Sequence, residues 1–169
     1  MYYNRDMNPF REFFVAMNEV GIRYLIVGGL AVNLHGYRRF TGDIDILLAL
    51  DVTNLEKVTQ LMHDLGYIER LPITLRDLSD AEHVQRLLEE KGMTAHTFLS
   101  NKRERIDVDI LAAKSLNFSD FDNRKVLIDI DEGVQVPVVS LDDLISMKRE
   151  ANRPQDVQDI QMLLELKSL

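Results

Sequence analysis

Two stretches of the chain place an aspartate at every second position with an aliphatic residue between them: Asp43-Ile44-Asp45-Ile46 and Ile106-Asp107-Val108-Asp109-Ile110. In an extended strand, residues two apart share a face, so each stretch gathers two carboxylates on one side and its apolar partners on the other. Carboxylates so placed repel one another, and folding alone has no need of them. Divalent cations do: each hard ion requires several oxygen ligands, and one carboxylate can bridge two ions about 3.5–4 Å apart. A solvated strand edge would explain one such alternation, but two in a chain this short are harder to dismiss. Asp43 and Asp45 would supply two ligands and the second stretch a third. Asp109 is favoured because Ile110-Leu111-Ala112-Ala113 continues a buried strand after it, yet Asp107 stays open, since both point to one face.

Gly28-Gly29 interrupts the apolar run that ends at Val27, and 13 residues separate the pair from Asp43. Glycines at a strand-to-helix corner let backbone approach a ligand, and the first amides of the helix point at an arriving anion. An ordinary turn would serve the same two residues. What raises the pair above a turn is the diacidic strand that follows it.

Elements that could position these groups are legible from periodicity. Helical spacing runs from Pro9 to Val20, closed by Gly21. Tyr24 to Val27 reads as a strand, Leu30 to His35 as a short helix, and Asp43 to Leu48 as a strand. An amphipathic helix spans Thr53 to Leu65, with Thr53 or Asn54 as N-cap and Gly66 as stop. Tyr67 to Leu71 is read as a strand, and Ser79 to Lys91 as a helix capped by Ser79 or Asp80 and ended by Gly92. Thr94 to Leu99 and Arg105 to Leu111 form an antiparallel pair about Ser100-Asn101-Lys102. Lys125 to Ile130 and Val134 to Val139 form a hairpin. Ser140 caps a helix through Arg149, and Pro154 opens the last one. No linker or repeat breaks the 169 residues, so residues 1–169 are read as a single α/β or α+β domain. His35, on a short apolar helix, reads as a core or capping residue.

Composition narrows the chemistry. With no cysteine, disulfides, thiolate metal sites and cysteine nucleophiles are excluded, leaving oxygen and imidazole ligands for a hard metal. A net charge of -8 argues against a surface that coats nucleic acid throughout, although Arg38 and Arg39, the Lys102, Arg103 and Arg105 trio, and Lys148, Arg149 and Arg153 form local basic groups. No apolar run approaches the roughly 20 residues of a membrane span, and Met1 to Asn8 has no secretory apolar core, so a cytoplasmic location with no membrane contact is expected.

Gly28-Gly29, the 13-residue spacer and Asp43-Ile44-Asp45-Ile46 resemble the nucleotidyltransferase signature of the polymerase-beta-like superfamily. Gly28 to Gly36 followed by Arg39, Thr41 and the aspartates is similar to minimal AbiEii-type nucleotidyltransferases, relatives of toxins in bacterial toxin-antitoxin and abortive-infection systems. Val136 to Leu144 leading to Lys148, then Arg153-Pro154-Gln155-Asp156 and Asp159, resembles their second signature. The resemblance implies a mixed β-sheet with helices mainly on one face. It implies Mg2+ or Mn2+ held by Asp43, Asp45 and Asp109 or Asp107. Gly28, Gly29, Arg39, Thr41 and Arg153 would meet an NTP such as ATP, Lys148 would act at its phosphates, and Asp156 would orient Lys148 or Arg153. The implied reaction moves an NMP onto a hydroxyl of an RNA, a protein or a small molecule, with a cognate antitoxin or other protein as partner. Gly29 stands where the toxins usually have serine, a change that leaves a backbone cradle intact. A non-catalytic module that keeps the fold to bind a partner is the alternative, and a metal-dependent phosphohydrolase is disfavoured by the glycine corner.

Overall fold

The computed structural model describes residues 9–70, 72–91, 95–101, 106–111 and 117–169. In chain order the elements are Pro9–Val20 (α1), Tyr24–Ile26 (β1), Gly28–Leu34 (α2), Asp43–Leu48 (β2), Val52–Asp64 (α3) and Tyr67–Glu69 (β3). A 3-10 turn over Leu75–Ser79 follows, then Ala81–Lys91 (α4), Ala95–Ser100 (β4), Asp107–Leu111 (β5), Phe118–Asn123 (α5), Val126–Asp131 (β6), Val134–Val138 (β7), Leu141–Ala151 (α6) and Pro154–Lys167 (α7).

The strands form one mixed sheet in the order β3-β4-β5-β2-β1-β7-β6. The two diacidic strands, β2 and β5, lie side by side and parallel, with Asp43 opposite Asp107 and Asp45 opposite Asp109. Parallel neighbours need a crossover, and the chain between them supplies α3, β3, α4 and β4. β4 then pairs antiparallel with β5, setting Thr97 opposite Asp109. On the other side of β2, β1 runs antiparallel and delivers its C-terminal end to the glycine corner.

Alternation decides the faces. Ile44, Ile46, Leu48, Tyr24, Ile26, Val108 and Ile110 share one side by register and are all buried. Helix α1 lies on this side: Phe14 stacks on Tyr24 with ring centroids 5.8 Å apart, and Phe13 meets Tyr67 edge-on at 6.2 Å. Each such side chain contributes roughly 1.5–3 kcal/mol on burial. Buried Asn54 fastens the edge of this core, since its amide accepts from Arg23 N and donates to the carbonyls of Arg23 and Ala49. The entry to β1 is thereby tied to the exit from β2.

Several boundaries differ from the sequence reading. Helix α2 begins at Gly28 itself, because that glycine adopts φ +62° and turns the chain at once. Asp51, rather than Thr53 or Asn54, caps α3 by accepting from Asn54 N at 3.1 Å. Helix α5 was not anticipated; six residues carry too little periodicity to register, although Asn117 caps it. Leu71, Gly92, Thr94, Lys102, Arg103, Arg105, Ala112 and Ala113 lie outside the described residues. No helix among the described residues is long and apolar enough to cross a membrane.

Candidate active site

The central pair of strands brings three acids together. Asp43 and Asp45 on β2 and Asp109 on β5 each offer a carboxylate oxygen, all within 4.8 Å of one another, and all three side chains are partly exposed. Asp107 shares the strand face but is engaged elsewhere, its Oδ1 accepting from Ser100 N at 2.8 Å. Asp109 Oδ1 accepts a 2.6 Å hydrogen bond from the Thr97 hydroxyl. Among the described residues no lysine or arginine forms an ion pair with any member of the triad.

That imbalance shows in proton affinity. Burial, then repulsion from Asp43 and Asp109, pushes the Asp45 carboxyl up to about 6, only partly offset by a hydrogen bond from Gly29 N–H and by the more distant charge of Arg153. Asp43 is raised as well, by burial and then by Asp109. Oxygen donors crowded without a counter-charge are the donor set a hard divalent cation takes.

The glycine corner closes one wall of this pocket at backbone distance. A Cβ on Gly28 would stand 1.9 Å from Asp45 Oδ2, so a side chain there is incompatible with the acid. A Cβ on Gly29 would lie 2.6 Å from Thr41 Oγ1 and 3.2 Å from Arg39 Nη1. Both glycines, Arg39 and Thr41 are therefore neighbours of one another and, through Asp45, of the triad. Thr41 also donates to Asp43 O at 3.3 Å, anchoring the strand entry.

The residues of the second signature form a separate knot beside the corner. Asn152 adopts a left-handed conformation, φ 49°, and turns α6 into α7, which packs Lys148 against Asp156 and Asp159. Lys148 Nζ lies 2.9 Å from Asp156 Oδ1 and 2.7 Å from Asp159 Oδ2, and is only 4% exposed. Arg39 makes a two-pronged bond to Asp159, at 2.7 and 2.8 Å. Arg153 donates its Nε and backbone N–H to Asp156 Oδ2. Burial raises the proton affinity of both acids, but the hydrogen bonds from these cations outweigh it and hold each below the usual carboxylate value. Arg153 keeps a largely exposed guanidinium that feels Asp45 and Asp43. His35 points away from this chemistry, its Nε2 lying 2.8 Å from Val139 O.

Sequence reading gave Thr97 no role; its position opposite Asp109 depends on a pairing register that no local pattern announces. Asp159 was seen as part of the second signature, but its link to Arg39, 120 residues away, was not.

The fold has solved counterparts. The lincosamide antibiotic adenylyltransferase LnuA, solved with lincomycin bound, is similar over 96% of this chain and 99% of its own, with a TM-score of 0.63 and 17% identity. The antibiotic-resistance factor ANT(2'')-Ia is similar over 92% of this chain and 80% of its own, with a TM-score of 0.60 and 11% identity. An antigenic nucleotidyltransferase-like protein from Paracoccidioides brasiliensis matches over 92% and 73%, with a TM-score of 0.55 and 15% identity. At these identities the likeness concerns the fold. No curated protein matches the chain in sequence. A family model matches residues 11–167, nearly all of the described structure, and by it the chain belongs to the nucleotidyltransferases of unknown function designated DUF6036.

Proposed function

We propose that this chain is a Mg2+- or Mn2+-dependent nucleotidyltransferase that moves an NMP from an NTP to a hydroxyl acceptor. The observation that carries the reading is the convergence of Asp43, Asp45 and Asp109 beside Gly28-Gly29 with no lysine or arginine among the described residues paired to them. These three acids, with Asp109 rather than Asp107 as the third, would hold the ions. Bound ions would neutralise phosphate charge and lower the proton affinity of the acceptor hydroxyl. The acceptor hydroxyl would lose its proton to solvent as its oxygen forms a bond to the α-phosphorus, while the bond from the α-phosphorus to the α–β bridging oxygen breaks and pyrophosphate leaves with that electron pair.

The chain's own groups do the positioning. Bare backbone at Gly28 and Gly29 lets Asp45 and Thr41 pack against the corner, and the Gly29 N–H that donates to Asp45 aims this acid at the place where the metal-bound phosphates would sit. Arg153, exposed and close enough to sense Asp43 and Asp45, supplies positive charge to the departing phosphates. Lys148, buried and paired with two buried acids, acts as a strut rather than a phosphate ligand. Through Asp159 it fixes Arg39, and with it the segment leading to Thr41.

A small-molecule hydroxyl is the acceptor class supported by the structural neighbours, one solved with lincomycin and another with adenylyl-2''-tobramycin. The AbiEii-type reading, with an RNA or protein acceptor and an antitoxin partner, rests on the sequence resemblance of the two signatures, which the Arg39–Asp159 bond brings together in space. Incubation with Mg2+, each labelled NTP and separate pools of RNA, protein and hydroxylated antibiotics tests both. Label transfer by the wild type that vanishes in Asp43→Asn/Asp45→Asn supports the enzyme, and the labelled pool names the acceptor. Equal labelling by the double variant, or none by either protein, defeats it and leaves a partner-binding module.

A further inference from the structure

Every strong contact of Thr97 is made in one direction or the other across β4. Its carbonyl accepts from Arg70 N at 2.9 Å on the β3 side, and its residue stands directly opposite Asp109 on the β5 side. Opposed residues in an antiparallel pair hold their Cβ atoms about 4.5–5.5 Å apart, close enough for a short side chain to reach its partner. A β-branched residue in a strand has few χ1 choices, so the hydroxyl is aimed by the backbone. It donates to Asp109 Oδ1 at 2.6 Å, a short, charge-assisted bond. Asp43 and Asp45 are not held in this way by any threonine or serine side chain among the described residues.

One oxygen of Asp109 is thus engaged within the protein before any ligand arrives. The bond occupies one lone pair of Oδ1 and leaves Oδ2 the less encumbered oxygen, which favours ligation through Oδ2 alone. The consequence differs between cations. Ca2+ takes 6–8 oxygens and readily accepts a carboxylate through both, whereas Mg2+ and Mn2+ are satisfied by octahedral sets in which each carboxylate gives one.

Building on the metal-dependent reading above, we propose that Thr97 is a positioning residue that confines Asp109 to one-oxygen ligation and so selects a small octahedral cation over Ca2+. The side chain touches neither nucleotide nor acceptor and acts through Asp109. Its chemistry is separable from its packing, because valine keeps the branched shape and strand preference while losing the hydroxyl.

The test is a pair of titrations, Mn2+ and Ca2+, followed by calorimetry on the purified full chain, for wild type, Thr97→Val and Thr97→Ser. In Thr97→Val the Mn2+ Kd is expected to rise about tenfold, the lower end for lost support of a metal ligand. The Ca2+ Kd should rise less or fall, so that the preference for Mn2+ over Ca2+ shrinks. Thr97→Ser, which keeps the donor, should retain that preference. The proposal is overturned if both cations weaken in proportion, if neither Kd changes, or if serine behaves as valine does. Should Thr97→Val lack the wild-type circular dichroism, Thr97→Ala is read by the same criteria. A wild type that binds Mn2+ no better than Asp43→Asn/Asp45→Asn defeats the metal-dependent reading itself. Tight wild-type binding with an unaltered Thr97→Val defeats only the role of Thr97.

Discussion

The molecule holds two groups of half-buried or buried acids within a short reach of the same glycine corner, and they are built on opposite principles. Asp156 and Asp159 are sealed in the α6–α7 contact with Lys148, Arg39 and Arg153 around them, and their carboxyls are held below the usual value. Asp43, Asp45 and Asp109 are crowded against each other with no paired cation among the described residues, and Asp43 and Asp45 are pushed up. The first group carries its counter-charge in its own sequence. The second has no such partner among the described residues. Acid content alone therefore does not distinguish the two groups; the pairing state of the acids does.

The contrast is sharpest in stability. Asp159→Ala leaves Lys148 and Arg39 short of a partner in a buried setting and is expected to destabilise the fold by about 3–5 kcal/mol, as read from urea unfolding. A loss below 1 kcal/mol would dissolve the distinction between the two groups. Asp45→Asn should do the reverse, raising the melting temperature of the metal-free protein by removing one repelling charge. The same change should lower NMP transfer by about 100-fold or more, the scale set by losing one preorganised electrostatic contact. A variant both less stable and fully active would place Asp45 in the structural group.

pH separates the groups more gently. Asp156 and Asp159 have folded values below the ordinary 3.8, so their contribution is complete above that value and disappears as pH falls through the lowered ones. Asp45 is raised from 3.8 to about 6, so the metal-free fold loses stability as pH climbs between those values. That loss is on the order of 1–3 kcal/mol. Thermal melts from pH 3 to 7 should show the decline between about 4 and 6 in wild type and a smaller one in Asp45→Asn, where burial and Asp109 still raise Asp43. An unchanged profile in the variant would show that the triad is not strained.

Much of this was written locally. Period-two alternation exposes Asp43, Asp45, Asp107 and Asp109 to view because a strand sorts its side chains by parity. The turn at Gly28 is equally local, since φ +62° there favours glycine, whereas the crowding of a Cβ at that position by Asp45 is set by the neighbouring strand. Pro154 at the head of α7 and Ser140 as the cap of α6 follow from backbone chemistry within a turn.

Parity could not separate Asp107 from Asp109, because both fall on one face. In the fold it is Asp109 whose carboxylate comes within 4.8 Å of those of Asp43 and Asp45, while β4 hands Ser100 N to Asp107 and the Thr97 hydroxyl to Asp109. Nor could a lysine on a helix reveal that it would be buried against α7, for burial is a property of the helix contact and not of the residue. The sequence by itself determined which groups could do chemistry and the strand face they share. Tertiary structure decided which acids meet cations of their own chain and which are left for a ligand, because pairing across 120 residues, as between Arg39 and Asp159, depends on how distant elements pack.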